Sequence, residues 1–471
     1  MDDSQGMSYE LDFPGNEDDE VALLPQSDTS STQNTLHKLR SKPLVVHSFV
    51  VFFSAFIASV QYCIVLPTCR TYAEELEGGP FLSGLIVGGA DIFSIPVTFL
   101  LPAVTSKSYE LVFLAQCVLG VFGNILYAFA GAAGSKVMLI SGRILAGVVA
   151  AYSFTCPNFI AFFVHEDDRT FYMQLLYSSV YSGVALGPVL GSFLTSLRDF
   201  KVGTVDINSN NIPGFFMMTC YLAFTAIIVV SPAFPKAPKQ TDTRLTSMWG
   251  KKTFSLGSLR ERFKYTFALF TCILGTSLTA FLDGAWETAT VIISTETFEW
   301  GVPKTGYWIG FVLATILVAN FAAAHLSYRF EDRAVTMFCL VVLCCSIVPL
   351  FDFGGSQTLQ VYLYFGFSLF YMPAVSVISS CFSSILSKIG SQSHLMKLQT
   401  AQGISLQLGL FLAALFGTYG LVTIGRNAFE CVMLVLTFTL LLSTWFSFEE
   451  LSADAHEQKE KGNFAKEMEV M

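Results

Sequence analysis

A chain of 471 residues that is 53% hydrophobic and only 13% charged has too few charged side chains to solvate a globular surface of its size. The formal net charge of −9 collects largely in the N-terminal tail and in scattered loops, so it points to no nucleic-acid partner. Eleven cysteines lie mostly inside apolar runs, without Cys-x-x-Cys or Cys/His spacing, and read as small buried apolar residues rather than metal ligands.

Residues 1–42 are rich in Ser, Thr, Asp and Glu and are expected to be a disordered tail. No cleavable signal peptide is visible there, so the first span is expected to act as its own signal. Within the tail, Asp19-Glu20-Val21-Ala22-Leu23-Leu24 matches the acidic dileucine pattern that clathrin adaptors read for endosomes, lysosomes or vacuoles. Asp19, Leu23 and Leu24 are its sorting residues; the competing reading is a chance pair of leucines.

Twelve apolar runs follow, near 44–67, 81–103, 109–131, 137–163, 171–197, 213–234, 265–290, 305–328, 334–351, 358–387, 400–424 and 428–448. Each is expected to be a helix crossing a bilayer, for which about 20 apolar residues suffice. The polar segment 235–264 divides them into an N-terminal half (43–234) and a C-terminal half (265–448), with a C-terminal tail at 449–471. If the N-terminus is cytosolic, 20 of the 27 basic residues fall on the cytosolic side and six on the opposite face, the sense in which loop Lys and Arg orient membrane proteins. Eight of the 20 lie in the central segment, which is expected to be a basic cytosolic linker. Both termini are therefore expected in the cytosol.

The fourth and fifth runs carry the strongest local signals. The fourth holds Arg143, the one basic residue left inside a span. The fifth holds Gly183, Gly187 and Gly191, spaced by four, so they line one helix face and let another backbone approach closely. Pro188 removes a backbone donor there, which a buried or cavity-lining helix tolerates. Internal symmetry supports two parallel repeats. Charged turns follow the second and eighth runs, Pro157 and Pro373 fall late in the fourth and tenth, and the fifth and eleventh are glycine-rich. Two six-helix halves and a basic central loop describe an all-α membrane protein of the major facilitator fold.

Short motifs narrow the resemblance. Ser106-Lys107-Ser108-Tyr109, Gly142-Arg143, Asp168-Arg169-Thr170 with Gly187-Pro188, and Ile212-Pro213-Gly214 together resemble the SPX-related branch of the major facilitator superfamily. That branch includes lysosomal ceroid-lipofuscinosis transporters and plant vacuolar phosphate carriers. Trp286-Glu287-Thr288 is similar to the acidic position of the lysosomal members in the seventh span. The resemblance, carried chiefly by residues 81–234, implies an organellar pathway for a solute or anion such as chloride or phosphate. Three departures limit that implication and weaken phosphate as the substrate: a tail too short for an SPX domain, no further arginines in the fourth span, and no Asn-x-Ser/Thr sequon, so that lumenal N-glycans are not expected.

An ionisable group in mid-membrane costs about 2.5–3.5 kcal/mol, so each embedded one is read first as functional. Arg143 either binds an anion or pairs with an acid across a cavity; the bland reading is a side chain snorkelling to the interface. Asp283 and Glu287 lie one turn apart on one helix face, and two carboxylates in low dielectric do not both ionise cheaply. One is expected to hold the proton of a coupling site; the alternative is a pair of hydrated groups at a helix end. Asp91 is a second proton site or a helix-packing partner. Gln61, Tyr62, Asn158, Asn320 and Gln402, with Gln407, are polar candidates for the substrate cavity, although helix–helix hydrogen bonding accounts for most residues of this kind. No phosphate-cradling loop, metal cluster or nucleophile triad stands out, so neither an enzyme nor a cofactor is expected. The leading expectation is a monomeric transporter or anion-conducting pathway of a lysosomal, endosomal or vacuolar membrane. A plasma-membrane carrier and a non-transporting scaffold are the alternatives.

Overall fold

In hydrocarbon a backbone can satisfy its own polar groups only within helices or closed barrels, and these apolar runs become helices. In the computed structural model the described residues are 42–165, 168–197, 200–202, 205–231, 234, 256–390 and 395–452. The chain divides between residues 45 and 46, and everything that forms the site lies in Val46–Met471.

The first half comprises α1 (Lys42–Cys63), the short α2 (Cys69–Glu75), α3 (Pro80–Thr105), α4 (Tyr109–Phe129), α5 (Lys136–Ala150), α6 (Tyr152–Phe163), α7 (Arg169–Thr195) and α8 (Ile212–Val230). The second half comprises α9 (Leu256–Ile292), α10 (Val302–Leu326), α11 (Asp332–Ile347), α12 (Gln357–Ile389), α13 (Leu395–Leu415), the one-turn α14 (Leu421–Ile424) and α15 (Arg426–Phe446). Local chemistry sets the starts. Ser108, Ser135 and Ser356 cap α4, α5 and α12 by accepting from Leu111 N, Met138 N and Leu359 N at 3.2, 3.2 and 3.3 Å. Prolines stand in the first turns of α3, α8 and α10, where no backbone donor is needed. Gly425, at φ +81°, makes the left-handed turn between α14 and α15.

Three boundaries differ from the sequence expectation. The first span ends at Cys63, and the chain turns before Pro67 into α2. The seventh begins at Leu256, inside the stretch expected as linker, and runs 37 residues before a π-helical turn at Ile293–Thr297. The fourth breaks at Ala151 into α5 and α6. A small antiparallel hairpin, Phe200–Val202 with Val205–Ile207, interrupts the helical chain before α8.

Among the described residues, eleven helical segments are long and apolar enough to cross a membrane. The twelfth span is α7, whose 27 residues reach about 40 Å but are diluted by Gln174, Tyr177, Ser178, Tyr181 and Ser182. Those side chains face protein rather than lipid, so α7 escapes the composition rule because it is central. Lipid-facing surfaces elsewhere expose Val230, Val318, Phe338 and Phe446. All eleven cysteines are free, and six of them are buried.

Packing between spans relies on close backbone approach, because burial from lipid supplies little hydrophobic drive. A Cβ on Gly183 would lie 2.3 Å from Phe56 O, and one on Gly191 would lie 2.5 Å from Ile64 O, so the α7 stripe seats against α1 and the turn after it. On the other flank α10 brings its own Gly310, whose Cβ would lie 2.9 Å from Ala185 O. The second half repeats this design. A Cβ on Gly409 of α13 would lie 2.3 Å from Ser277 O of α9, and one on Gly88 of α3 would meet Ala414 at 2.9 Å. Thus α7 lies between α1 and α10, and α13 lies between α9 and α3. This exchange of neighbours joins the halves.

Candidate functional site: a polar cavity between the two halves

Helices α1, α3, α5 and α7 of the first half face α9 and α13 of the second around a cavity of about 1000 Å³ including its open mouth. Gly142 sets one wall. Its Cβ would lie 2.7 Å from Gly123 O, so α5 lies directly against α4 and carries Arg143 inward. Arg143 lines the cavity and is only 3% exposed, so it does not snorkel. Its Nη2 reaches Val87 O at 3.4 Å, its Nε has no partner, and among the described residues no carboxylate lies within 4.0 Å. Asp91, near the middle of α3, lines the same wall with Oδ2 unpartnered.

The opposing wall belongs to α9. Asp283 and Glu287 both face the cavity one turn apart, and Glu287 is 2% exposed. The helix continues beyond Glu287 to Ile292 and through the π-helical turn to Thr297, so the pair lies inside the protein, not at a hydrated helix end. Tyr181 Oη donates to Asp283 Oδ2 at 2.8 Å and leaves Oδ1 without a partner. Gln407 of α13 donates to Ala150 O at 2.9 Å and Ser153 Oγ at 2.8 Å. It thereby satisfies a carbonyl at the break between α5 and α6, while its Oε1 remains unpartnered beside the cavity.

Gln61 and Tyr62 line the cavity from α1. Asn158, Asn320 and Gln402, expected beside the substrate, do not. Asn158 Nδ2 donates to Tyr109 Oη at 2.9 Å, tying α6 to α4. Asn320 pairs with Ser376 of α12 at 3.0 Å, and Gln402 donates to Ser383. A buried carboxamide in a membrane helix finds the nearest hydroxyl on a neighbour, and that is where these three went. Sequence reasoning missed Tyr152, Tyr177 and Tyr181, which complete the lining. The spacing of Tyr177 and Tyr181, one turn apart beside the glycine stripe, was the available signal.

Beyond the cavity, where α7 begins and α12 ends, a network joins the halves. Asp332 Oδ2 accepts from Thr170 at 3.2 Å, Ser384 at 2.9 Å and Lys388 Nζ at 2.9 Å. Thr170 and Ser384 hydroxyls lie 2.8 Å apart, and Arg169 Nη1 donates to Ser387 O at 3.1 Å. Tyr177 and Ser383 add a further 2.9 Å bridge between α7 and α12. At the other end the described residues offer an exposed Arg70–Glu296 pair at 3.6 Å, a contact worth little in water.

Residues 48–393 match the Major Facilitator Superfamily. The chain belongs to that superfamily. An SPX domain-containing membrane protein of Arabidopsis thaliana is 22% identical over 422 residues, covering 80% of this chain; the chain spans only 58% of that relative's length. An MFS-type transporter of Schizosaccharomyces pombe is 22% identical over 437 residues, 86% of this chain and 82% of the relative. Among solved structures, the human organic anion transporter MFSD10 (TETRAN) superposes with a TM-score of 0.62 at 15% identity, over 86% of this chain and all of that one. FucP in its outward conformation gives 0.59 at 14% identity, over 87% of this chain and 99% of that one. The facilitator motifs also acquire physical roles. Ser108 caps α4, Tyr109 receives Asn158, Gly142 delivers Arg143, and Arg169-Thr170 belong to the network that joins the halves.

Proposed function

We propose that this major facilitator protein is a proton-coupled secondary transporter that moves a small solute by an anionic group held at Arg143. The observation that carries the reading is that one inter-half cavity brings together a guanidinium without an ion partner among the described residues and three carboxyl groups, Asp91, Asp283 and Glu287. Unpaired charges are costly in a membrane interior, and a purely structural wall has no use for them. The carboxyl pair on α9 is the proton carrier, faced by Tyr62, Tyr181 and Asp91. Alternating access follows when the Asp332–Lys388–Thr170 end opens and the Arg70–Glu296 end closes around the same site. The basic loops favour a cytosolic position for the Asp332 end, with both termini on that side.

Purified full-length protein in liposomes provides the test. Glu287→Gln mimics the protonated carboxyl, so pH-driven accumulation of substrate is lost while counterflow exchange persists. Full pH-driven accumulation in that variant ends the coupling assignment. The proposed site of action is a lysosomal, endosomal or vacuolar membrane. The support is the acidic dileucine at Asp19, Leu23 and Leu24, which lies outside the described residues. Replacing both leucines with alanine sends a tagged protein to the cell surface; an unchanged distribution removes the clathrin-adaptor reading.

A further inference from the structure

Among the described residues, five that line the cavity each carry a buried polar atom without a partner: Tyr62 Oη, Asp91 Oδ2, Arg143 Nε, Asp283 Oδ1 and Gln407 Oε1. Buried polar groups in a finished protein interior are almost always hydrogen-bonded, so an unpartnered set in one cavity describes what is missing from it. The inventory is unequal. Arg143 Nε can only donate, the tyrosine can do either, and an ionised carboxylate or an amide oxygen accepts. The guanidinium and one acceptor, Asp91 Oδ2, belong to the first half, whereas Asp283 Oδ1 and Gln407 Oε1 both belong to the second. A ligand made only of acceptors, such as chloride, phosphate or a simple carboxylate, answers Arg143 and leaves Gln407 Oε1 bare. The space between the two walls is apolar, flanked by Leu176 and Val180 of α7 and by Leu406 and Leu410 of α13. Few placed polar groups on largely apolar walls fit an organic body rather than a hydrated ion.

We infer that the substrate is an organic zwitterion with an apolar body, its carboxylate on Arg143 and Tyr62 and its ammonium on Asp283 Oδ1 and Gln407 Oε1. This rests on the transport reading above and narrows its solute class. An ammonium brings three donors to the acceptor wall, so it answers both atoms at once. Tyr181, which already holds the other Asp283 oxygen at 2.8 Å, fixes the carboxylate in position to receive it.

The test uses matched solutes with the full-length chain in liposomes, counted against protein-free vesicles. Phenylalanine is compared with 3-phenylpropionate, which lacks the amine, and phenethylamine, which lacks the carboxylate. Leucine is compared with 4-methylpentanoate and isopentylamine, and chloride and phosphate complete the set. The expected result is uptake of at least one of the two amino acids about tenfold or more above both of its analogues, because a site built to bond a polar group rejects the compound without it. Asp283→Asn should shift the ratio of amino acid to deaminated analogue about tenfold toward the analogue, a change of preference that misfolding cannot produce. Equal or faster carriage of the deaminated acids overturns the zwitterion, as does movement of chloride or phosphate alone. If such an anion moves in a manner sensitive to Glu287→Gln, the proposed function stands and only this inference falls. Absence of protein-dependent flux of every solute removes both.

Discussion

Helix α7 borders two groups of buried charge that look alike in the sequence and differ in the structure. At its first turn, Arg169 and Thr170 join a network in which one Asp332 oxygen accepts from three donors, Lys388 among them. Two to three turns later, Tyr177 and Tyr181 look into a cavity where Arg143, Asp91 and Asp283 each keep an atom unpartnered. The first arrangement resembles a folded interior, in which polar groups are used up holding two halves together. The second leaves donors and acceptors unused. Ion pairing, rather than burial, separates the two groups: Arg143 is 3% exposed and Asp332 only 8%, yet Asp332 holds Lys388 at 2.9 Å and Arg143 has no carboxylate within 4.0 Å among the described residues.

The largest expected effect tests the cavity side of that contrast. On the proposed function, Arg143→Gln removes the charged donor that would hold substrate, and such a hydrogen bond is worth about 1.5–3 kcal/mol, or roughly 10- to 100-fold in affinity. Stability should change by no more than about 1 kcal/mol, because Arg143 has no ion partner among the described residues to leave behind. Arg143→Lys restores part of the affinity, as a charge without the planar fork. Substrate titration and thermal unfolding of the same preparations measure both quantities. A large fall in unfolding temperature would mean that Arg143 belongs to the scaffold.

Asp332→Asn probes the other group and should fail in the opposite way. Breaking a buried ion pair costs about 3–5 kcal/mol, and roughly 2 kcal/mol is expected here because the Lys388 side chain is 20% exposed. Substrate affinity, once the protein is folded, stays within about twofold, since Asp332 does not line the cavity. With that network loosened, a cysteine placed at Ser387, which is 1% exposed, should react with a water-soluble maleimide about tenfold faster. Unchanged reactivity would show that the network does not hold that end closed.

The architecture was legible because hydropathy and glycine spacing act over whole spans. Twelve runs became twelve spans, and Gly183, Gly187 and Gly191 meet α1 and the turn after it at distances that admit no side chain. Embedded charge was legible too, since Arg143, Asp91, Asp283 and Glu287 stand out in apolar surroundings. The direction of uncharged amides was not. Gln407 and Gln402 both donate to a serine of a neighbouring helix, so only their place in space, Gln407 at the cavity and Gln402 away from it, tells them apart. The break at Ala151 was equally hidden: Pro157 marks a weakened helix, yet the turn falls six residues earlier, where Gln407 from the other half takes the freed carbonyl. Asp332 and Lys388 lie 56 residues apart, and no local pattern joins them.

The smallest expected effect concerns Asn320, which was expected at the substrate and is found in packing. It is fully buried in α10, where its Nδ2 donates to Ser376 Oγ at 3.0 Å and its Oδ1 accepts from the same hydroxyl at 3.1 Å. Interhelical hydrogen bonds of this kind contribute about 0.6 kcal/mol on average in membranes and seldom more than about 1.7 kcal/mol. Asn320→Ala should therefore lower stability by about 1 kcal/mol, with a small added term for the space left behind. Substrate affinity and pH-driven accumulation should stay within about twofold of the parent, because nothing on α10 at this depth touches the cavity. The comparison with Arg143→Gln is then a crossed pair, in which one substitution moves affinity and spares stability while the other does the reverse. Measuring both properties on both variants at matched expression decides it. If Asn320→Ala lowers affinity tenfold with stability intact, buried partnering does not mark a packing residue in this protein.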